Sequence, residues 1–325
     1  MVRHSTSRSS HRDGLPLVSV LIPAYNHEKY IETCLESLIQ KNSSRWEIVI
    51  IDDGSQDSTF RIAKAWLEEK QSSFHSARVL SQNNIGIVKT LNRLIGLAQG
   101  DYIVLLASDD YLLPGGIDIR LDALEQHPEW LGIFADCVVV NDHGEIISKS
   151  GISRMYTPRN SAEKRALQHP DLIAMELILR WSVPGPVFMA RREAYQADTG
   201  VGLYDERLTA EDRDFYLRLL AMRALGFIDA KVAAYRVHKL SAVKRPNYKW
   251  KVAHSVMESE RQNIRNFCGL EKMALRIMAN RSEHLLKCHT AGGVRKAYYY
   301  AKQKLNSSIL LFFLQYQKIR TQLLT

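Results

Sequence analysis

Apolar and polar positions follow two rhythms along this chain. Short continuous apolar runs give way to stretches in which apolar residues recur every three or four positions. Val18 to Ile22 (VSVLI) is the first run and reads as a buried strand closed by Pro23. Glu28 to Gln40 then carries Tyr30, Ile31, Cys34, Leu35, Leu38 and Ile39 at helical spacing. Trp46 to Ile51 (WEIVII) predicts a strand, Thr59 to Glu69 a helix, Ala77 to Leu80 a short strand and Ile87 to Ala98 a helix. Tyr102 to Leu106 (YIVLL) is the fourth strand. Val- and Ile-rich strands separated by amphipathic helices predict an α/β fold, a mostly parallel sheet flanked by helices. Ligands bind such sheets beyond the carboxyl ends of the strands, so residues just after each strand are the first candidates.

The second half is less regular. Gly151 to Trp181 reads as irregular and helical, Gly185 to Ala190 resumes strand character, Glu211 to Leu225 is a helix and Phe227 to Val237 a last strand. Strand patterning stops after His238, and Lys249 to Thr325 reads as two or three helices broken near Gly269 and Gly292-Gly293. Within Val294 to Leu324, the positions Tyr298, Ala301, Leu305, Ile309, Phe312, Tyr316, Ile319 and Leu323 place an apolar stripe along one helix face.

Composition sharpens this division. The net charge is +9, yet residues from Lys231 onward hold 19 basic against 4 acidic side chains, and the first 230 hold 25 against 31. At 46% hydrophobic and 24% charged, the chain is not of the disordered class. Residues 1–14 are polar and basic, with no apolar segment of signal-peptide type, and are expected to be a disordered tail. Cys34, Cys137, Cys268 and Cys288 are scattered, which suggests free thiols and a cytoplasmic setting. The longest uninterrupted apolar candidate, Ile309 to Leu314, is six residues, far below the roughly 20 needed to span a bilayer. The predicted domains are 15–240, divided into two halves at about 115, and a basic helical region 241–325.

Three acidic clusters follow strands or open helices: Asp52-Asp53, Asp109-Asp110, and Glu211-Asp212 with Asp214. Adjacent carboxylates repel one another unless a cation or ligand compensates them. A hard divalent ion bound by one or two carboxylates and substrate phosphates would do so. For any one cluster, solvated turn or capping residues are the plain alternative; three clusters, at least two at one sheet edge, favour a site.

At this point the chain resembles the family 2 glycosyltransferases, inverting enzymes of the GT-A fold. The matching words are Val18-Ser-Val-Leu-Ile-Pro-Ala-Tyr-Asn26, Glu47-Ile-Val-Ile-Ile-Asp-Asp-Gly-Ser55 with Asp57-Ser58-Thr59, Asn84-Ile-Gly86, and Gly100-Asp-Tyr-Ile-Val-Leu-Leu106. Ser108-Asp-Asp110 and Leu113-Pro114-Gly115 complete the series. The resemblance runs from Leu17 to His238 and implies a nucleotide-sugar site lined by Pro23, Ala24, Tyr25, Asn26, Asp52, Asp53, Asn84, Gly86, Ser108 and Asp109. Tyr25 would contact the base, and the Asp52-Asp53 pair would accept its imide N–H, which implies a UDP- or dTDP-sugar donor. Ser108-Asp109-Asp110 departs from the usual D-x-D metal word. The resemblance implies Mn²⁺ or Mg²⁺ held by Asp110, Asp109 and His238, with Asp110 favoured for the metal and Asp109 for ribose. Arg236 would be a phosphate or structural partner.

Glu211-Asp212 matches the family's E-D pair at a helix start, with Asp212 as the general base. A carboxylate at a helix N-terminus is expected to stay ionised at neutral pH. Trp181 and Pro184-Gly185-Pro186 are candidates for the acceptor pocket, although a core Trp is an equal alternative. The resemblance thus implies a sugar transferred to a saccharide or lipid-linked acceptor in bacterial cell-surface polysaccharide synthesis. The alternative is a catalytically silent binding scaffold, which the retained Asp110 and Asp212 disfavour. The basic, apolar-striped tail predicts contact with the anionic inner face of the cytoplasmic membrane; packing on the body or a homodimer seam are the alternatives. No nucleic-acid partner is expected, since no recognised motif accompanies the charge.

Overall fold

The computed structural model describes residues 14–41, 43–155, 161–239 and 248–324. All of the expected N-terminal tail except Gly14 lies outside the described residues. The strands are β1 (Leu17–Ala24), β2 (Arg45–Asp52), β3 (Ser76–Ser81), β4 (Tyr102–Leu105), β5 (Tyr111–Leu112), β6 (Gly132–Val140), β7 (Ile146–Ser148), β8 (Phe188–Arg191) and β9 (Leu225–Arg236). They form one nine-stranded sheet in the order β3-β2-β1-β4-β8-β6-β9-β5, with β7 pairing with β6. The part built from β1 to β4 is parallel, as its βα rhythm predicts. Beyond β4 the sheet is mixed: β8 runs antiparallel to both β4 and β6, whereas β9 runs parallel to β6.

Strand alternation divides the core into two layers. Val18, Val20 and Ile22 of β1 pack with α1 (Ile31–Glu36), α2 (Thr59–Lys70) and α4 (Gly116–Gln126) on one face. Leu21, Val49 and Ile51 face α3 (Ile87–Leu97), α7 (Ile173–Leu179) and α8 (Glu211–Ala221) on the other. Both faces are covered, which is why these strands read as continuous apolar runs rather than alternating ones.

Three of the differences from the sequence reading have a clear physical cause. Strand β6 is central to the mixed part of the sheet, yet Asp136 interrupts its apolar run. That carboxylate is buried because Lys231 and Lys164, distant in sequence, donate to it at 2.7 and 3.1 Å. Helix α1 is shorter than its periodicity suggests, and the Ser37 hydroxyl donates back to the Cys34 carbonyl at 2.6 Å just past its end. Helix α8 stops at Ala221 because Arg223 takes a left-handed φ of 57°, turning the chain into β9.

The C-terminal region is three helices, α9 (Tyr248–Asn263), α10 (Gly269–Thr290) and α11 (Gly293–Leu324). Helix α9 is built into the body that carries the sheet. Arg213 of α8 and Glu260 of α9 form an ion pair at 3.1 Å with both side chains about 1% exposed, and Asn263 donates to Asp214 at 2.7 Å. Helix α11 buries Leu310, Phe313, Gln317 and Thr321, and the Gln317 amide donates to the Leu172 carbonyl at 2.9 Å. The apolar stripe read from the sequence is a different face of that helix. Tyr298, Leu305, Phe312, Ile319 and Leu323 are all exposed, Phe312 by 71% and Leu323 by 78%. The stripe therefore does not pack on the body. No helix among the described residues is long and apolar enough to cross a membrane.

Candidate active site

The carboxyl ends of β1, β2 and β4 deliver the predicted nucleotide residues to neighbouring loops. Ala24 and Asp52 are paired at the ends of β1 and β2. Beyond β1, Asn26 adopts a left-handed φ of 54°, a conformation asparagine tolerates. Its N–H donates to Ser55 Oγ at 2.9 Å and its side-chain oxygen accepts from the Gln56 N–H at 2.8 Å. Tyr25 stays partly exposed beside this turn. Gly54 is required between the two loops, because a Cβ there would lie 2.8 Å from the Asn84 nitrogen.

Asp52 and Asp53 have separate tasks. Asp53 organises the Asn84–Gly86 loop: Oδ1 accepts from the Gln82 side chain at 2.7 Å and the Ile85 N–H at 2.9 Å, and Oδ2 from the Gly86 N–H at 3.0 Å. Gly86 presents that N–H at a φ of 89° and leads directly into α3. Asp52 accepts the Ser55 N–H through Oδ2 at 3.1 Å, while its buried Oδ1 has no partner among the described residues. A buried acceptor without a donor is a place where a ligand N–H fits.

Beyond β4, Asp109 lies between two imidazoles. His238 Nε2 is 3.0 Å from Asp109 Oδ2, and His27 Nε2 is 3.8 Å from the same oxygen. The three ligand atoms all lie within 4.8 Å of one another. Ser108 Oγ bonds His27 Nδ1 at 2.8 Å, leaving Nε2 to face the carboxylate. Burial opposes ionisation of Asp109, but the His238 hydrogen bond and the His27 charge outweigh it and hold its carboxyl below the usual value.

Asp110 is not part of this cluster. Its Oδ1 accepts the Arg236 backbone N–H at 2.7 Å, and burial together with the Asp109 charge pushes its carboxyl well up. The Arg236 guanidinium donates to the carbonyls of Asp109, Asn141 and Asp142 at 2.9, 3.2 and 3.3 Å and lies 5.0 Å from the centre of the Tyr30 ring. It is a structural partner that ties the Asp109 loop to β9. The Tyr30 ring in turn sits 4.7 Å from the His238 ring, and its hydroxyl donates to Asp142.

The donor set fits a divalent ion. Two ligands about 2.1 Å from an ion at right angles stand roughly 3 Å apart, which matches the His238–Asp109 separation. Two imidazoles and one carboxylate suit a first-row ion such as Mn²⁺ better than Mg²⁺, which prefers oxygen donors.

Glu211 and Asp212 open α8, and the loop before them is anchored twice. Asn92 of α3 donates to the Tyr204 carbonyl at 3.0 Å and accepts the Tyr204 N–H at 3.1 Å. Ser255 Oγ of α9 accepts the N–H groups of Thr209 and Ala210 at 2.9 and 2.8 Å. Burial here reverses the expectation of ready ionisation at the helix end. Desolvation raises Asp212 above the ordinary carboxylate value, and burial plus the Asp212 charge raise Glu211 to about 8. Arg213 offsets only part of this, since its guanidinium bonds Glu260 and the carbonyls of Leu177 and Ile178.

Sequence reasoning missed His27, Tyr30 and Ser255. His27 directly follows the Asn26 word and was a legible candidate; Ser255 had no local signal at all. Trp181 proves to be a buttress, its ring 5.0 Å from Tyr216 and 5.0 Å from the Arg213 guanidinium.

A mixed α/β sheet with carboxylates at its strand ends and an imidazole–carboxylate cluster defines a GT-A nucleotide-sugar architecture. Residues 19–196 match the profile of Glycosyl transferase family 2, and the chain belongs to that family. It is similar to the chondroitin synthase of Escherichia coli, 37% identical over 134 residues, covering 41% of this chain and 19% of the relative. An uncharacterized glycosyltransferase of Haemophilus influenzae is 25% identical over 316 residues, covering 94% and 92% of the two chains. This chain spans less than a fifth of the chondroitin synthase and 14% of the similar hyaluronan synthase of Pasteurella multocida. Among solved structures, S. aureus TarS 1-349 in complex with UDP-GlcNAc superposes with a TM-score of 0.56 at 19% identity, covering 90% of each chain. The mannosyltransferase PcManGT of Pyrobaculum calidifontis, in complex with GDP-Man and Mn²⁺, does so at 0.57 and 16%, covering 95% and 86%.

Proposed function

We propose that this chain is a metal-dependent, inverting glycosyltransferase. It moves a sugar from a UDP- or dTDP-sugar to a saccharide or lipid-linked acceptor in bacterial cell-surface polysaccharide synthesis. The observation that carries this reading is the His27–Asp109–His238 cluster, set after β4 in a family 2 chain whose α8 opens on a partly buried acidic pair. UDP-GlcNAc in TarS and Mn²⁺ in PcManGT support it.

Each step falls to a named group. The Asp52 carboxylate accepts the imide N–H of the base through Oδ1, while Asp53 holds the Asn84–Gly86 loop, which with Asn26 and Tyr25 shapes its surroundings. Asp109, His238 and His27 would hold the divalent ion, in place of the Asp110-centred set the family word implies, and the ion would supply positive charge to offset the departing diphosphate. Asp212 takes the proton of the acceptor hydroxyl as its oxygen bonds the anomeric carbon. The bond from that carbon to the diphosphate oxygen breaks on the opposite side, so the configuration inverts and no protein nucleophile is required. Glu211 keeps its proton at neutral pH, which leaves a single negative charge at the base.

The exposed stripe of α11, flanked by Lys302, Lys304, Lys318 and Arg320, would place the enzyme on an anionic membrane surface. A thermal-shift screen of nucleotide sugars with Mn²⁺ tests the donor assignment. UDP- or dTDP-sugars should raise the melting temperature, and GDP- and CDP-sugars should not. Stabilisation by a GDP-sugar alone would reject it.

A further inference from the structure

A cavity of about 690 Å³ opens between the 207–209 loop and the C-terminal helices. Its wall is formed by Trp250, Lys251, His254 and Gln262 of α9 and by His289 near the end of α10. That volume lies within the range of ligand cavities, roughly 300–1,000 Å³. The position is specific. The loop on one side runs directly into Glu211-Asp212, and Ser255, only 3% exposed, clamps that loop through the N–H groups of Thr209 and Ala210.

The lining has a definite chemistry. The Trp250 indole stacks on the His289 ring with centroids 3.6 Å apart and planes at 17°, giving an aromatic wall that joins α9 to α10. Lys251 and His254 lie one turn apart on α9, so both face one side. Arg207 is oriented by a bidentate pair with Asp205, shortest contact 2.6 Å. Against one acidic lining residue, Glu258, stand Arg207, Lys251, His254 and His289. An aromatic wall, amide and hydroxyl groups and a cationic surplus match a sugar chain that carries negative charge.

We propose that this cavity is an acceptor subsite for an anionic saccharide chain, bearing carboxylate or phosphate groups, a few sugars from the reacting hydroxyl. The C-terminal helices then select the acceptor as well as buttress α8. This rests on the reading of Glu211-Asp212 as the proton-accepting pair.

The test is calorimetric binding to the full chain with UDP and Mn²⁺ present. The probes are a tetrasaccharide alternating glucuronate and N-acetylglucosamine, a glycerol phosphate oligomer of equal charge, and neutral chitotetraose. One anionic probe should bind well above chitotetraose, and which one identifies carboxylate or phosphate as the recognised group. Lys251→Glu should weaken that probe at least tenfold and Trp250→Ala should weaken it several-fold, with UDP–Mn²⁺ affinity unchanged in both. No preference for either anionic probe, or unchanged affinity in Lys251→Glu, overturns the subsite. Asp212→Asn separates the two readings: it should bind the probe normally and transfer nothing. Normal transfer by that variant would reject the catalytic assignment while leaving the subsite standing.

Discussion

Adjacent carboxylates occur both after β4 and at the start of α8, and the fold places them in opposite surroundings. Asp109-Asp110 meets two imidazoles and the Arg236 backbone; one carboxyl is drawn below its ordinary value while its neighbour is pushed up. Glu211-Asp212 is desolvated beside an arginine whose guanidinium is committed elsewhere, and both carboxyls rise. The first environment stabilises a fixed negative charge, which suits holding a cation. The second destabilises one, which suits accepting a proton near neutral pH. Two adjacent carboxylates can therefore be set for either chemistry, and the partners brought by folding decide which.

The largest test is to remove each charge in turn. Asp212→Asn should lower kcat by about 10²–10⁴-fold and leave Mn²⁺-dependent UDP binding intact by calorimetry. Asp109→Asn should do the reverse at the binding step, abolishing the Mn²⁺ dependence of UDP affinity. If both variants lose metal binding, the two pairs form one site and the contrast fails.

The pH profile of transfer sharpens the same contrast. Asp212 must be ionised to act, and its folded value is raised, so activity is present above that value and lost as pH falls through it. At saturating Mn²⁺, kcat/KM should fall about tenfold per pH unit on an acidic limb lying clearly above the ordinary aspartate value of about 3.9. An acidic limb at or below that ordinary aspartate value would show that burial does not govern the base.

How much of this could be read in the sequence follows the same division. Strands β1 to β4 and the acidic words behind them were legible because each is a local pattern: an apolar run, then a polar turn. Strand β6 was not, because its buried Asp136 is tolerable only beside Lys231 and Lys164. The raised values of Glu211 and Asp212 were also invisible. Helix position argued for easy ionisation, and only the packing of α8 against α7 and α9 reveals the burial that outweighs it. His238 was found through its strand-end word, whereas His27 stands next to the Asn26 word and only the fold shows that it meets Asp109.

That second imidazole gives the next test. His27→Ala should weaken Mn²⁺ binding about tenfold, read by titration of the free-ion paramagnetic resonance signal, and change Mg²⁺ binding less, because imidazole favours the transition metal. Ser108→Ala, which removes only the hydrogen bond that orients the ring, should have the smaller effect. Equal loss of both metals would mean that His27 supports the site without ligating.

The smallest expected effect concerns the two faces of α11. Leu310 and Phe313 pack inward, whereas Phe312 and Leu323 project outward beside Lys318 and Arg320. Replacing Phe312 and Leu323 together by Ser leaves the packing face intact, so the melting temperature should stay within a few degrees of the original. Partitioning onto phosphatidylglycerol vesicles should fall about tenfold, the equivalent of roughly 1.4 kcal/mol for two partly inserted side chains, and binding to neutral phosphatidylcholine vesicles should be weak throughout. Leu310→Ala gives the converse, a loss of stability of about 2–5 kcal/mol with partitioning of the folded protein retained. If the outward double variant binds anionic vesicles unchanged and instead dissociates a dimer in sedimentation, the stripe is a seam between two copies of this chain.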